Sequence, residues 1–126
     1  MKLFVAAFGG ALGTLCRYAI GEITKKLFHV GFPWGTLFVN GIGSFVIGFL
    51  WGTQWFHNDS STLKTFVFIG ILGGFTTFSS FSLDTLNLFR NNQPLTAILN
   101  IAANNLMGLS LAALGYWLSN FIATKS

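Results

Sequence analysis

Four long apolar stretches alternate with short polar segments along the chain. The first runs from about Leu3 to Ile23, the second from about Trp34 to Phe56. The third runs from about Leu63 to Phe89 and the fourth from about Leu95 to Ile122. The segments between them carry Lys25, Lys26 and a Gly31-Phe32-Pro33 turn, then His57 to Thr62, then Arg90-Asn91-Asn92-Gln93-Pro94. A bilayer-spanning helix needs about 20 mostly apolar residues, so each stretch is long enough to cross. Helices are expected throughout, because each satisfies its own backbone in lipid. The pattern predicts an all-α membrane protein: one four-helix transmembrane domain over residues 1–126, with Trp34, Trp51 and Trp55 as interface anchors.

One run departs from the pattern. Gly73-Gly74-Phe75-Thr76-Thr77-Phe78-Ser79-Ser80-Phe81-Ser82 falls in the middle of the third stretch. Two adjacent glycines, five hydroxyls and three phenylalanines at spacing three make a poor lipid-facing helix. Non-helical backbone at that depth survives only when buried in protein or lining a wet cavity. Polar groups there are costly and mark function. The run therefore predicts a break in the third helix, lining an ion pathway.

Composition agrees with the membrane class. Of the 126 residues, 52% are hydrophobic and 8% charged, and the mean hydropathy is +0.65. Soluble domains carry about a quarter charged residues. The single Cys excludes an intrachain disulfide and a cysteine metal cluster. The net charge of +4 is scattered, with no basic patch for nucleic acid. Leu15 before Cys16 is a poor cleavage position, and the apolar pattern runs on through Ile20, so the first stretch is expected to span rather than to be a signal peptide.

Orientation is normally set by a Lys/Arg bias between the two sides. With four spans, Lys2, Lys64 and Lys125 lie on one side and Lys25, Lys26 and Arg90 on the other. No bias exists, so dual insertion is expected, as in an antiparallel homodimer with a twofold axis in the membrane plane. The alternative is that Arg17 or a local loop effect picks one orientation. Four short helices enclose little, which favours a homo-oligomer, and twofold symmetry is the commonest. Gly9, Gly13 and Gly21, with Arg17, form a stripe at spacing four on the first span, and Ser44, Gly48 and Gly52 another on the second. Such stripes let helices approach closely in lipid.

Several polar residues are candidates for the pathway. Asn40 shares a face with Ser44; its amide is either a cross-helix bond or a donor to a passing anion. Asn100, Asn104 and Gly108 repeat at spacing four, with Asn105 beside them, and form a polar track on span four. Arg17, within the first span, is expected to pair with Glu22 or helix-end carbonyls in a structural or vestibule role. Asp84, one turn past Ser80, is read as structural. Phe75, Phe78 and Phe81 form a ladder. Phenylalanine is ordinary membrane filler, but its ring edge is positive and can stabilise a small anion without a full charge. Interleaved with the hydroxyls of Thr76, Thr77, Ser79 and Ser80, such rings give weak multiple contacts that let an ion enter and leave. Enzyme chemistry lacks an inventory. His29 and His57 fall on opposite sides, Cys16 has no local base, and no phosphate loop or metalloprotease helix is present.

With these residues in view, the chain resembles the Fluc (CrcB) family of fluoride channels over essentially its whole length. The likeness rests on Gly9-Gly10-x-x-Gly13 with Arg17, on Gly35-Thr36-Leu37-x-Val39-Asn40, and on Gly73-Gly74-x-Thr76-Thr77-Phe78-Ser79-Ser80-Phe81. The resemblance implies a dual-topology homodimer with two antiparallel pores that conduct fluoride and exclude chloride. It implies that Phe78 and Phe81 face the fluoride path, that Asn40 is the span-two pore amide, and that Thr77, Ser79 and Ser80 surround the break. Asn104, on the span-four polar track, is expected to line the same pore. Gly73 and Thr76 would offer backbone carbonyls from both subunits to a structural sodium ion, and Arg17 would sit at a vestibule or interface. Ser80 stands where the family often has Thr. Asn100, Asn104 and Gly108 stand where it commonly has an aromatic or His followed by hydroxyls.

The implied role is passive export of fluoride across the inner (plasma) membrane of a prokaryote. The neutral acid enters across lipid and dissociates. The anion then leaves down its gradient, helped by about 2.3 kcal/mol per charge per 100 mV. The rival is a proton-coupled small multidrug-type exporter, which needs an embedded carboxylate in the first span; Glu22 is poorly placed for it. A non-transporting membrane scaffold subunit is the third reading.

Overall fold

The computed structural model describes residues 1–28, 31–53 and 61–125. His29, Trp55, Phe56 and His57 lie outside these, and so does most of the polar segment after the second span. Helix α1 covers Lys2–Leu27 and α2 covers Trp34–Gly52. The third span opens with a short helix α3, Ser61–Lys64, and continues as a π-helical segment, Thr65–Leu72. It then passes through one α turn, α4, Gly73–Phe75, to α5, Phe78–Arg90. Helix α6 covers Pro94–Lys125. Four stretches are long and apolar enough to cross a membrane: Lys2–Leu27, Trp34–Gly52, Thr62–Arg90 and Pro94–Lys125.

Helix ends follow local chemistry. Pro94 starts α6, where its missing N–H costs nothing. Gly52 ends α2 because Thr53 turns extended and both its N–H and its hydroxyl bond back to the Leu50 carbonyl. Trp34 stacks among Phe28, Phe32 and Phe38 at the start of α2.

Two tight seams hold the bundle. Helix α1 packs on the π-helical segment and α4, and α2 packs on α6. In the first seam a β-carbon at Gly9 would come within 2.6 Å of the Phe66 carbonyl, and one at Gly13 would overlap the Ile71 carbonyl. In the second, a β-carbon at Gly48 would overlap the Ala112 carbonyl. The small-residue stripes of spans one and two thus supply the contact surfaces, as in other close helix pairs in lipid. Gly21 differs: among the described residues, no atom beyond its own stretch of helix lies within 4 Å of a β-carbon there.

The interior is thin. Leu37, Val39, Leu72, Phe75, Leu88 and Ala97 are buried, while Leu3 is 85% and Leu109 73% exposed. So much apolar surface demands lipid or protein around it.

Candidate functional site: two cavities that share Thr77

Backbone geometry changes abruptly after Phe75. Thr76 (φ −76°, ψ 154°) and Thr77 (φ −146°, ψ 113°) are extended between the end of α4 and the start of α5. Thr77 caps α5: its hydroxyl accepts the Ser80 N–H at 3.1 Å. The Thr77 N–H donates to Asn40 Oδ1 at 2.8 Å. The two N–H groups that a continuous helix would give to the Gly73 and Thr76 carbonyls, those of Thr77 and Ser80, are therefore committed elsewhere. The Gly74 carbonyl accepts from Arg17 Nε at 3.2 Å, so the Arg17 partner is a helix-end carbonyl.

Asn40 closes on Thr77 like a second strand. Its Oδ1 takes the Thr77 N–H, and its Nδ2 donates to the Thr77 carbonyl at 3.2 Å. Nδ2 also donates to Asn104 Oδ1 at 3.2 Å. Both amide hydrogens thus have protein acceptors. Asn104 in turn donates to the Asn100 carbonyl and to Asn100 Oδ1, each at 2.9 Å.

A cavity of about 390 Å³ has Thr77 in its wall. Its wall includes Phe78, Phe81, Asn40, Asn104, Gly73 and Thr76, with no titratable side chain among the described residues. The Phe78 and Phe81 rings are tilted at 48° with centroids 5.6 Å apart. A second cavity, of about 420 Å³, also has Thr77 in its wall and is lined in part by Arg17, Glu22, Lys25, Thr36, Ser80 and Asp84. Asp84 Oδ2 accepts the Thr36 hydroxyl at 2.8 Å, and Lys25 pairs with Glu22 at 3.2 Å.

The geometry sorts the candidates. Phe78, Phe81, Asn40, Asn104, Gly73 and Thr76 share the uncharged cavity, and Thr77 belongs to both. Ser80 and Arg17 stand in the charged one. Ser79 is exposed, belongs to neither wall and touches the Thr77 hydroxyl at 3.3 Å. The aromatic ladder is split. Phe75 is buried, Phe78 is 79% exposed and Phe81 is half-buried, because the extended pair resets the helical register between them. Two partnerships escaped the sequence reading: Thr36 with Asp84, and Thr85 with Asn100. A lone carboxylate in an apolar span needs a donor, and that need is the signal that points toward a hydroxyl on a neighbouring helix.

The family model described as CrcB-like protein, Camphor Resistance (CrcB), matches residues 4–116. This chain belongs to the CrcB family. Among its relatives, the fluoride-specific ion channel FluC of Parabacteroides distasonis is 42% identical over 124 residues, covering 98% of this chain and 97% of the relative. That of Thermus thermophilus is 43% identical over 115 residues, covering 91% and 92%. That of Dehalococcoides mccartyi is 43% identical over 128 residues, covering 99% and 97%. The motifs quoted above, Gly9 through Phe81, lie wholly within the matched CrcB segment.

Proposed function

We propose that this CrcB-family chain is a passive, fluoride-selective channel that exports the ion through the membrane of a prokaryotic cell. One observation carries the reading: the uncharged cavity of rings and amides at the extended Thr76–Thr77 pair. The relatives, fluoride-specific ion channels by name, supply the ion.

The chemistry suits a small, strongly hydrated anion. A fixed cation in the narrow part would bind too tightly to release it. Ring edges, hydroxyls and the positive end of α5 give graded, weaker attraction. Phe78 and Phe81 present their edges to the ion, and the Thr77 segment lies between that path and the charged vestibule. Asn40 and Asn104 shape the wall. Asn40 spends both amide hydrogens on Thr77 and Asn104, which favours the cross-helix role over that of a free donor. Ser79 and Ser80 extend the hydroxyl surroundings of the break, and Arg17 stands at the vestibule.

The unit acts as an antiparallel homodimer with two pores. The 79% exposure of Phe78 in a single chain supports this, since a second copy would cover the ring. The even split of Lys and Arg between the two sides supports insertion both ways. A sodium ion at the dimer centre fits the donor set. Gly73 and Thr76 offer hard, neutral carbonyl oxygens whose usual helical donors are engaged elsewhere, and two copies would double them. Bound there, the ion would neutralise carbonyl dipoles left by the break.

The test is a fluoride electrode trace on liposomes loaded with fluoride and reconstituted with the wild-type chain. Rapid efflux without a proton gradient is expected, together with a particle of twice the 13.7 kDa chain mass. Sealed liposomes overturn the channel, and efflux of organic cations driven only by a proton gradient establishes the exporter instead.

A further inference from the structure

Asn100 is 0% exposed, and its side-chain amide is bonded on both sides. A buried amide of this kind fixes the orientation of whatever it touches. The bonds around it have one direction. Asn40 Nδ2 donates to Asn104 Oδ1, and Asn104 Nδ2 donates to Asn100 Oδ1. Asn100 Nδ2 donates to Thr85 Oγ1 at 2.9 Å, and the Thr85 hydroxyl donates to the Phe81 carbonyl at 2.8 Å. Asn40 itself is bonded to the Thr77 backbone. The chain of donors thus leaves the helix break at Thr77, crosses α2 and α6, and returns to the same span one turn later at Phe81.

We infer that Asn100 is a positioning residue for the permeation path, acting through Asn104 and Asn40 on Thr77 and through Thr85 on Phe81. The inference rests on the channel reading. No single amide in the series can turn over alone. Turning Asn100 would set its NH₂ against that of Asn104 and its oxygen against Thr85. The Thr85 hydroxyl would then have to leave the Phe81 carbonyl to bond it. The series therefore has one orientation, and that orientation ties the two ends of the first turn of α5, the turn that carries Phe78 and Phe81.

A near-isosteric change isolates the donor. In Asn100→Asp the protonated carboxyl still accepts from Asn104 and donates to Thr85; the ionised carboxylate accepts only. The two forms differ by one proton, so pH selects between a residue that donates to Thr85 and one that cannot. Among the described residues the Asn100 side chain bonds to Thr85 and Asn104, neither of them titratable, and Asp84, next to Thr85 in sequence, is engaged by Thr36. Fluoride efflux is measured for wild type and Asn100→Asp in liposomes between about pH 6 and 9, with protein-free liposomes as the leak control. The expected result is near-wild-type flux at the acid end and a loss of about tenfold or more at the alkaline end, with the wild type flat over the same range. Thr85→Val, which removes the hydroxyl and keeps the shape, is expected to lower flux at every pH, and it decides the matter if the first variant does not fold. Flux in Asn100→Asp that follows the wild type at all pH values, or a loss that ignores pH, overturns the inference. So does unchanged flux per folded Thr85→Val protein. Sealed wild-type liposomes overturn the channel reading and this inference together, whereas a conducting wild type beside an indifferent Asn100→Asp overturns this inference alone.

Discussion

The two cavities that meet at Thr77 have similar volumes, about 420 and 390 Å³, and treat charge in opposite ways. One is walled by two cationic and two acidic side chains, Arg17 and Lys25 with Glu22 and Asp84. The other has none among the described residues: rings, amides, hydroxyls, backbone and the aliphatic Ile47 and Leu72 make its wall. In water a charged wall gathers and sorts ions at little cost, because the solvent screens each contact. Where water is stripped away the same charge would hold an ion too firmly or repel it outright. On the channel reading proposed above, capture of the anion falls to the first cavity and its dehydrated passage to the second.

The largest effect is expected from removing a ring edge from the uncharged cavity. Phe81→Ile keeps the wall apolar and roughly filled but loses the positive ring edge. Fluoride efflux should fall by about tenfold or more, equivalent to about 1.4 kcal/mol on the barrier, while the particle size on size-exclusion chromatography stays that of the wild type. Unchanged efflux would mean that the cavity works by shape alone.

Much of this was legible in the chain. Four spans follow from apolar length, and the Gly73–Ser82 run stood out because glycines and hydroxyls are wrong for lipid. The division into two cavities was not legible. Phe75, Phe78 and Phe81 at spacing three look like one stripe, and only the dihedral angles of Thr76 and Thr77 send Phe75 into the interior. Asn40 was open between a bond and a donor, since spacing shows which face an amide occupies but not which atom meets it. Thr85 carried no signal, because a lone Thr is an ordinary helix residue until a buried Asn is found across from it.

An intermediate effect is expected at the seam of the cavities. Asn40→Ala removes the bracket on Thr77 and leaves the Thr77 N–H and carbonyl without those partners. Each cross-helix bond in lipid contributes about 0.6–2 kcal/mol, so the thermal midpoint in detergent should drop measurably. Efflux per folded protein should fall severalfold. A drop in midpoint with efflux per protein intact would make Asn40 purely structural and detach the break from conduction.

A smaller effect is expected within the charged cavity. Thr36→Val deletes the hydroxyl that Asp84 accepts at 2.8 Å and leaves the carboxylate to water. The loss should be about two- to threefold in efflux, within the range of a single weakened polar contact. The loss should shrink as salt rises, because the freed charge is then screened.

The smallest effect is expected at the rim. Lys25 and Glu22 pair at 3.2 Å with side chains 77% and 46% exposed. Exposed pairs of this kind contribute about 0–1 kcal/mol, and salt weakens them further. Glu22→Gln removes one carboxylate from the capture side without touching Thr77, Phe78 or Phe81. If passage through the uncharged cavity limits the rate, efflux should change by less than about twofold, and the change should vanish at about 0.5 M salt. A change as large as that of Phe81→Ile would reverse the ranking of the two cavities. Ion supply at the charged mouth would then set the rate, and the rings would have to act by filling space rather than by drawing the anion through.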